Sequence, residues 1–95
     1  MTIPDKVKIG GSTYILKRVE KCDCDNRNTD GQILYTKDII ELRNDIQGDY
    51  AEFVLLHEIF HGIYEYCGFK QNENEIDRFS RCLHQIIKDN PDMFK

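Results

Sequence analysis

The apolar residues of this chain change period once, close to residue 48, and that change limits the folds open to it. Upstream they alternate with polar residues, as in strands exposed on one side. Downstream they recur every three to four residues, as in helices buried on one side. "KVKIGGSTYILKRVE" alternates around Gly10-Gly11, the mark of two strands joined by a hairpin. Val7, Ile9, Tyr14 and Leu16 either share one buried face or divide between two. "CDCDNRNTDG" (22–31) is a loop by composition, and "QILYT" and "DIIELRN" read as two further strands before Asn44, Asp45 and Gly48 close the section. Asp49 then fits a helix N-cap with Glu52 three residues on. Phe53, Leu56, Phe60, Ile63 and Cys67 form a helical stripe, and Gly68 fits the position just past its end. A second helix starts in "NENE", carries Ile76, Phe79, Leu83, Ile86 and Ile87 on one side, and stops at Pro91. Strands first and helices second predict an α+β domain: a small antiparallel sheet of three to four strands with two packed helices on one face.

At 95 residues the chain is read as one domain, 1–95, with a single modest core. Its net charge of −4 argues against a nucleic-acid partner gripped by a basic surface. No apolar run is long enough to span a bilayer, and "MTIPDKVKIGG" lacks the apolar centre of a secretory signal. The expectation is therefore a cytoplasmic protein with no membrane or nucleic-acid partner, its four cysteines reduced.

Within the first helix stands "LLHEIFHGIYEY", residues 55–66. His57 and His61 are spaced i, i+4, one turn apart on one face, so both rings can reach a single ion. A catalytic zinc takes three protein ligands and keeps a water in the fourth position. Glu58 points about a quarter turn away, where it can accept a proton from that water without ligating the metal. It can then pass the proton to a leaving amine, which is why H-E-x-x-H carries a mechanism. On the helical wheel both histidines lie at one border of the stripe, with Tyr50 and Tyr64 nearby and Leu55, Gly62 and Tyr66 on the far side. The competing reading is a packed helix edge that happens to contain two histidines.

A third ligand would come from Glu73 or Glu75. If the two helices meet by their apolar stripes, Glu75 can approach the histidines and Glu73 projects away. Asn72 and Glu75 also make a capping box, so Glu75 has a structural reading as well.

"LLHEIFHGIYE" followed by "NEIDRFS" resembles the gluzincin metallopeptidases, above all the small ImmA/IrrE-type proteins of phages and mobile elements. Their pattern is HExxH on one helix, then a glutamate ligand opening an E-[small]-x-x-F-[small] stretch on the next. Glu75, Phe79 and Ser80 match it, while Ile76 departs from the usual small residue. The order of "YTKDIIELRND" before the motif and the closing "KDNPDMF" are also similar, so the likeness covers about residues 33–95 in detail. It implies a minimal zincin core and a zinc-dependent endopeptidase of a bacterial host's cytoplasm. It implies one Zn2+ per chain on His57, His61 and Glu75, with Glu58 as general base. The implied substrate is a protein or peptide, with a repressor or a host protein as examples. The alternative of another class is a non-catalytic, zinc-stabilised regulatory protein that uses the same fold to engage a host or phage protein.

Tyr50 and Tyr64 lie on the histidine side, where a hydroxyl can stabilise an oxyanion; each also reads as a core or rim residue. His84 falls on the polar face of the second helix and reads as a solvated surface residue. Cys67 and Cys82 read as small buried hydrophobes. Cys22-Asp23-Cys24-Asp25 reads as an acidic loop, with metal binding as the other option.

Overall fold

The computed structural model describes residues 1–24 and 27–94, with residues 23, 24, 27 and 28 described by their backbone alone. Six strands precede two helices: β1 (Lys6–Ile9), β2 (Ser12–Val19), β3 (Cys22–Cys24), β4 (Arg27–Thr29), β5 (Gly31–Leu34), β6 (Ile39–Arg43), α1 (Gly48–Cys67) and α2 (Glu73–Asp89). A short 3-10 turn, Pro91–Phe94, follows α2. The α+β order and the four-stranded main sheet are as expected. The sheet is mixed rather than wholly antiparallel. Its order is β1-β2-β6-β5, and β2 and β6 run parallel, with Ile15 opposite Ile39 and Val19 opposite Arg43. The chain leaves β2, makes the separate β3-β4 ribbon, and returns through the β5-β6 hairpin, so β6 lies between strands distant in sequence.

The β1-β2 hairpin turns at Gly10, whose φ of +58° suits glycine. Val7 pairs with Tyr14, and Val7, Ile9, Tyr14 and Leu16 share the inward face while Ile15 is 45% exposed on the other. Within the segment expected to be a loop, residues 22–24, 27–29 and 31 are strand. Cys22 is fully buried against the main sheet, its thiol 4.0 Å from the Glu41 carbonyl, and burial pushes it up to about 11. The side chains of Asp23 and Cys24, and all of Asp25, lie outside the described residues.

Helix α1 is buried on two opposite sides. Ala51, Leu55, Glu58 and Gly62 face the sheet, and Leu56, Phe60 and Tyr64 face α2. Of the expected stripe, Leu56 and Phe60 mark the α2 side, whereas Phe53 and Ile63 also pack against the sheet-side core. A helix apolar on both sides is one enclosed between layers. Cys67 lies beyond the covered length and is exposed, as is Cys82, so neither is the buried hydrophobe expected. Helix α1 starts at Gly48, so Asp49 is not its N-cap; the Asp49 carboxylate accepts a hydrogen bond from Lys88 in the last turn of α2. Gly68, at φ +74°, closes the helix as expected, and Asn72 caps α2 by accepting the Glu75 N–H at 3.1 Å. Among the described residues no helix is long and apolar enough to cross a membrane.

Two glycines let α1 approach the sheet. A Cβ on Gly62 would come 2.8 Å from Ile9 Cδ1, and one on Gly31 would come 2.7 Å from Val54 Cγ1 and 3.2 Å from the Glu41 carbonyl oxygen. Ile9 ends in a flexible methyl, but Val54 is β-branched and the carbonyl is backbone, so the Gly31 contact has less room to relax. Gly31→Ala is expected to destabilise the fold by about 1–3 kcal/mol through overpacking, read as a lower urea midpoint. An unchanged midpoint would mean that α1 is not held that close to β5.

Candidate metal centre

The sheet-facing and α2-facing sides of α1 are about half a turn apart, so two seams run along the helix where they meet. His57 and His61 lie on one seam, each partly buried, with ring centroids 5.0 Å apart. The opening of this seam is a groove of about 560 Å³. Its walls are β5 (Gly31, Gln32 and Ile33) with Tyr35 on one side and the first turns of α2 (Glu73, Asp77 and Arg81) on the other. His57, Glu58 and His61 form its floor.

Helix α2 presents Glu73, Asp77, Ser80 and His84 toward α1, a face rotated by roughly a quarter turn from the stripe read in the sequence. Ile76 and Ser80 are fully buried, with the Ser80 hydroxyl donating to the Ile76 carbonyl at 2.7 Å. Phe79 stacks on Phe60 at 5.8 Å between centroids but stays half exposed at the rim. This rotation decides the third donor. Glu73 Oε1 lies 2.6 Å from His57 Nε2, and Glu73 Oε2 lies 3.0 Å from His61 Nε2. Glu75 is turned to the opposite side of the helix pair, where it accepts a hydrogen bond from Tyr64 at 3.0 Å. The expected trio of His57, His61 and Glu75 is therefore corrected: the residue beside both histidines is Glu73.

Two imidazole nitrogens aimed at one carboxylate place lone pairs against lone pairs unless a cation or protons lie among them. The donors of His57, His61 and Glu73 all fall within 4.8 Å of one another, so the group can hold a metal ion. Two imidazoles and a carboxylate are also the donor types zinc takes. The far side of the His61 ring is held as well, with Nδ1 2.8 Å from Gln71 Oε1, while His57 Nδ1 has Asp77 Oδ1 no closer than 3.9 Å. Partners of this kind orient metal-binding histidines.

Glu58 is 7% exposed and lines the same groove. Among the described residues none donates a hydrogen bond to its carboxylate. Burial, and after it the charge of Glu73, pushes the group up to about 8. Burying an unpaired carboxylate costs stability.

Tyr64 faces α2, with Phe69 against its ring and its hydroxyl on Glu75, and does not line the groove. Tyr50 does line it, at the Asp30 end, and donates to the Asp30 carboxylate. Two residues that hold His61 carry no signal of it in the sequence. Tyr35, at the end of "QILYT", donates to the His61 carbonyl at 3.2 Å, and Gln71 reaches the same carbonyl at 3.1 Å. Tyr35 ends a strand segment already recognised; Gln71 sits in a connection that carries no periodic signal.

A second group, Asp49, Glu52 and His84, also brings its donors within 4.8 Å. His84 is not a solvated surface residue: it is partly buried with Nε2 2.9 Å from Glu52 Oε1. This group already has cations, the Lys88 ammonium on Asp49 and the amino terminus 3.8 Å from Glu52. It ties the start of α1 to the end of α2.

The two candidate third donors can be told apart by zinc-dependent stabilisation. A ligand that binds only the native state at a hundred times its Kd adds about 2.7 kcal/mol. The wild-type and Glu75→Gln proteins are expected to gain thermal stability with added zinc, and His61→Ala and Glu73→Gln to lose most of that gain. A gain lost in Glu75→Gln and kept in Glu73→Gln would reverse the assignment.

Comparison of the chain with protein-family profiles, curated proteins and solved structures finds no significant match, so the geometry of this groove carries the functional reading.

Proposed function

We propose that the protein is a zinc-dependent peptidase that hydrolyses a peptide bond of a polypeptide substrate laid along the groove beside β5. The observation that carries this reading is Glu58: a buried carboxylate that opens onto the same groove as the His57–His61–Glu73 group. A site that only braced the fold would have no need of it. The H-E-x-x-H resemblance to gluzincin peptidases supports the same chemistry.

His57, His61 and Glu73 would hold the ion. When bound, zinc supplies the Lewis acidity that activates a water and polarises a carbonyl. Glu58 takes a proton from the attacking water and returns it to the leaving amine. The buried seam positions Glu58 beside the histidines and shields it from bulk water, which strengthens its interactions. Strand β5 ends the main sheet and forms one wall of the groove. An extended segment can add to such an edge through backbone hydrogen bonds, with little demand on its side chains. The groove has both signs of charge: Asp77 pairs with Arg81 at 2.9 Å, and Arg81 lies over the Phe53 ring at 4.7 Å.

Unfolded casein serves as a generic test substrate, with new amino termini counted by mass spectrometry. Zinc-loaded wild-type protein is expected to cut it. Glu58→Gln, nearly the same shape, is expected to lower the rate by at least about 100-fold while still binding zinc. Equal cutting by the Gln variant would contradict the role of Glu58. Intact casein with the zinc-loaded wild type would favour the non-catalytic binding protein instead.

A further inference from the structure

We propose that Gln71 is a positioning residue that fixes the tautomer and orientation of His61 for metal binding. This rests on the reading of His57, His61 and Glu73 as a metal site. Gln71 lies in the short connection between α1 and α2, and its amide makes three hydrogen bonds. Nε2 donates to the His61 carbonyl at 3.1 Å and to the Tyr35 hydroxyl at 3.3 Å, and Oε1 lies 2.8 Å from His61 Nδ1. Tyr35 in turn donates to the His61 carbonyl at 3.2 Å.

The contacts of Gln71 place a hydrogen on Nδ1. The His61 carbonyl only accepts, so the amide group facing it must be the NH2. The other amide atom, facing Nδ1, is then the carbonyl oxygen, which also only accepts. Nδ1 must therefore carry the hydrogen, and in the neutral ring the lone pair is on Nε2. Nε2 is the atom 3.0 Å from Glu73 Oε2. Gln71 thus selects the ring form that can ligate, and Tyr35 steadies Gln71 from the end of β5. His57 lacks an equal partner, since its Nδ1 is 3.9 Å from the nearest Asp77 oxygen. Gln71 is itself exposed, so replacing its amide removes no buried side chain.

The test measures zinc affinity by competition with a chromogenic chelator. The His61 tautomer is read from its 15N chemical shifts in the metal-free protein. Gln71→Leu is expected to bind zinc about 10- to 100-fold more weakly and to lose the hydrogen on Nδ1 in favour of Nε2, with the metal-free melting temperature unchanged. Gln71→Glu keeps an acceptor for Nδ1–H and is expected to retain that hydrogen and most of the affinity. Wild-type affinity and an unchanged tautomer in Gln71→Leu would overturn the role of Gln71 while leaving the metal site standing. No zinc bound by the wild-type protein would overturn the metal site itself, and this inference with it.

Discussion

Helix α1 is enclosed twice, by the sheet on one side and by α2 on the other, and the site depends on that enclosure. Each layer fixes one rotational limit of the helix. Ala51, Leu55 and Gly62 set the sheet side, where Gly31 and Gly62 allow an approach that larger residues would block. Leu56, Phe60 and Tyr64 set the α2 side. With both limits fixed, His57 and His61 can only face the seam between them. Burying a side chain such as Leu55 contributes about 1.5–3 kcal/mol, more than a surface ion pair, so packing and not charge sets the position of the histidines.

Charge then decides what the seam can do. Glu73 reaches both histidines from the first turn of α2, and Glu58 adds a second carboxylate at the floor. The donors of His57, His61 and Glu73 lie close enough together to hold a metal ion. The opposite end of the helix pair has a comparable set, Asp49, Glu52 and His84, but there Lys88 supplies the positive charge. The two ends differ in that one is neutralised from within the chain and the other converges on a groove open to a ligand.

The strand-to-helix order and the pair His57 and His61 were legible because both rest on local spacing. So was Glu58 as a groove residue, although its depth was not, since the sheet-facing side of α1 is marked by small residues and by Glu58 itself rather than by large apolar ones. The third donor was not legible. Glu73 and Glu75 are two residues apart, and choosing between them requires the rotation of α2 about its axis. That rotation follows the small buried Ser80, whereas the sequence stripe is dominated by the bulky Phe79. The parallel pairing of β2 with β6 was hidden for a similar reason, since alternation reports which face is buried and not which strand lies next. Cys22 was hidden by its polar neighbours, which favour turns by composition. Gln71 acts through a single amide, and no pattern announces such a residue.

The central claim is the ligand set, and X-ray absorption at the zinc edge of the loaded wild-type protein tests it most directly. The account predicts a first shell of nitrogen and oxygen scatterers only, at about 2.0–2.2 Å, with the outer-shell signature of two imidazole rings. A sulfur scatterer at about 2.3 Å would place a cysteine on the metal and contradict the account.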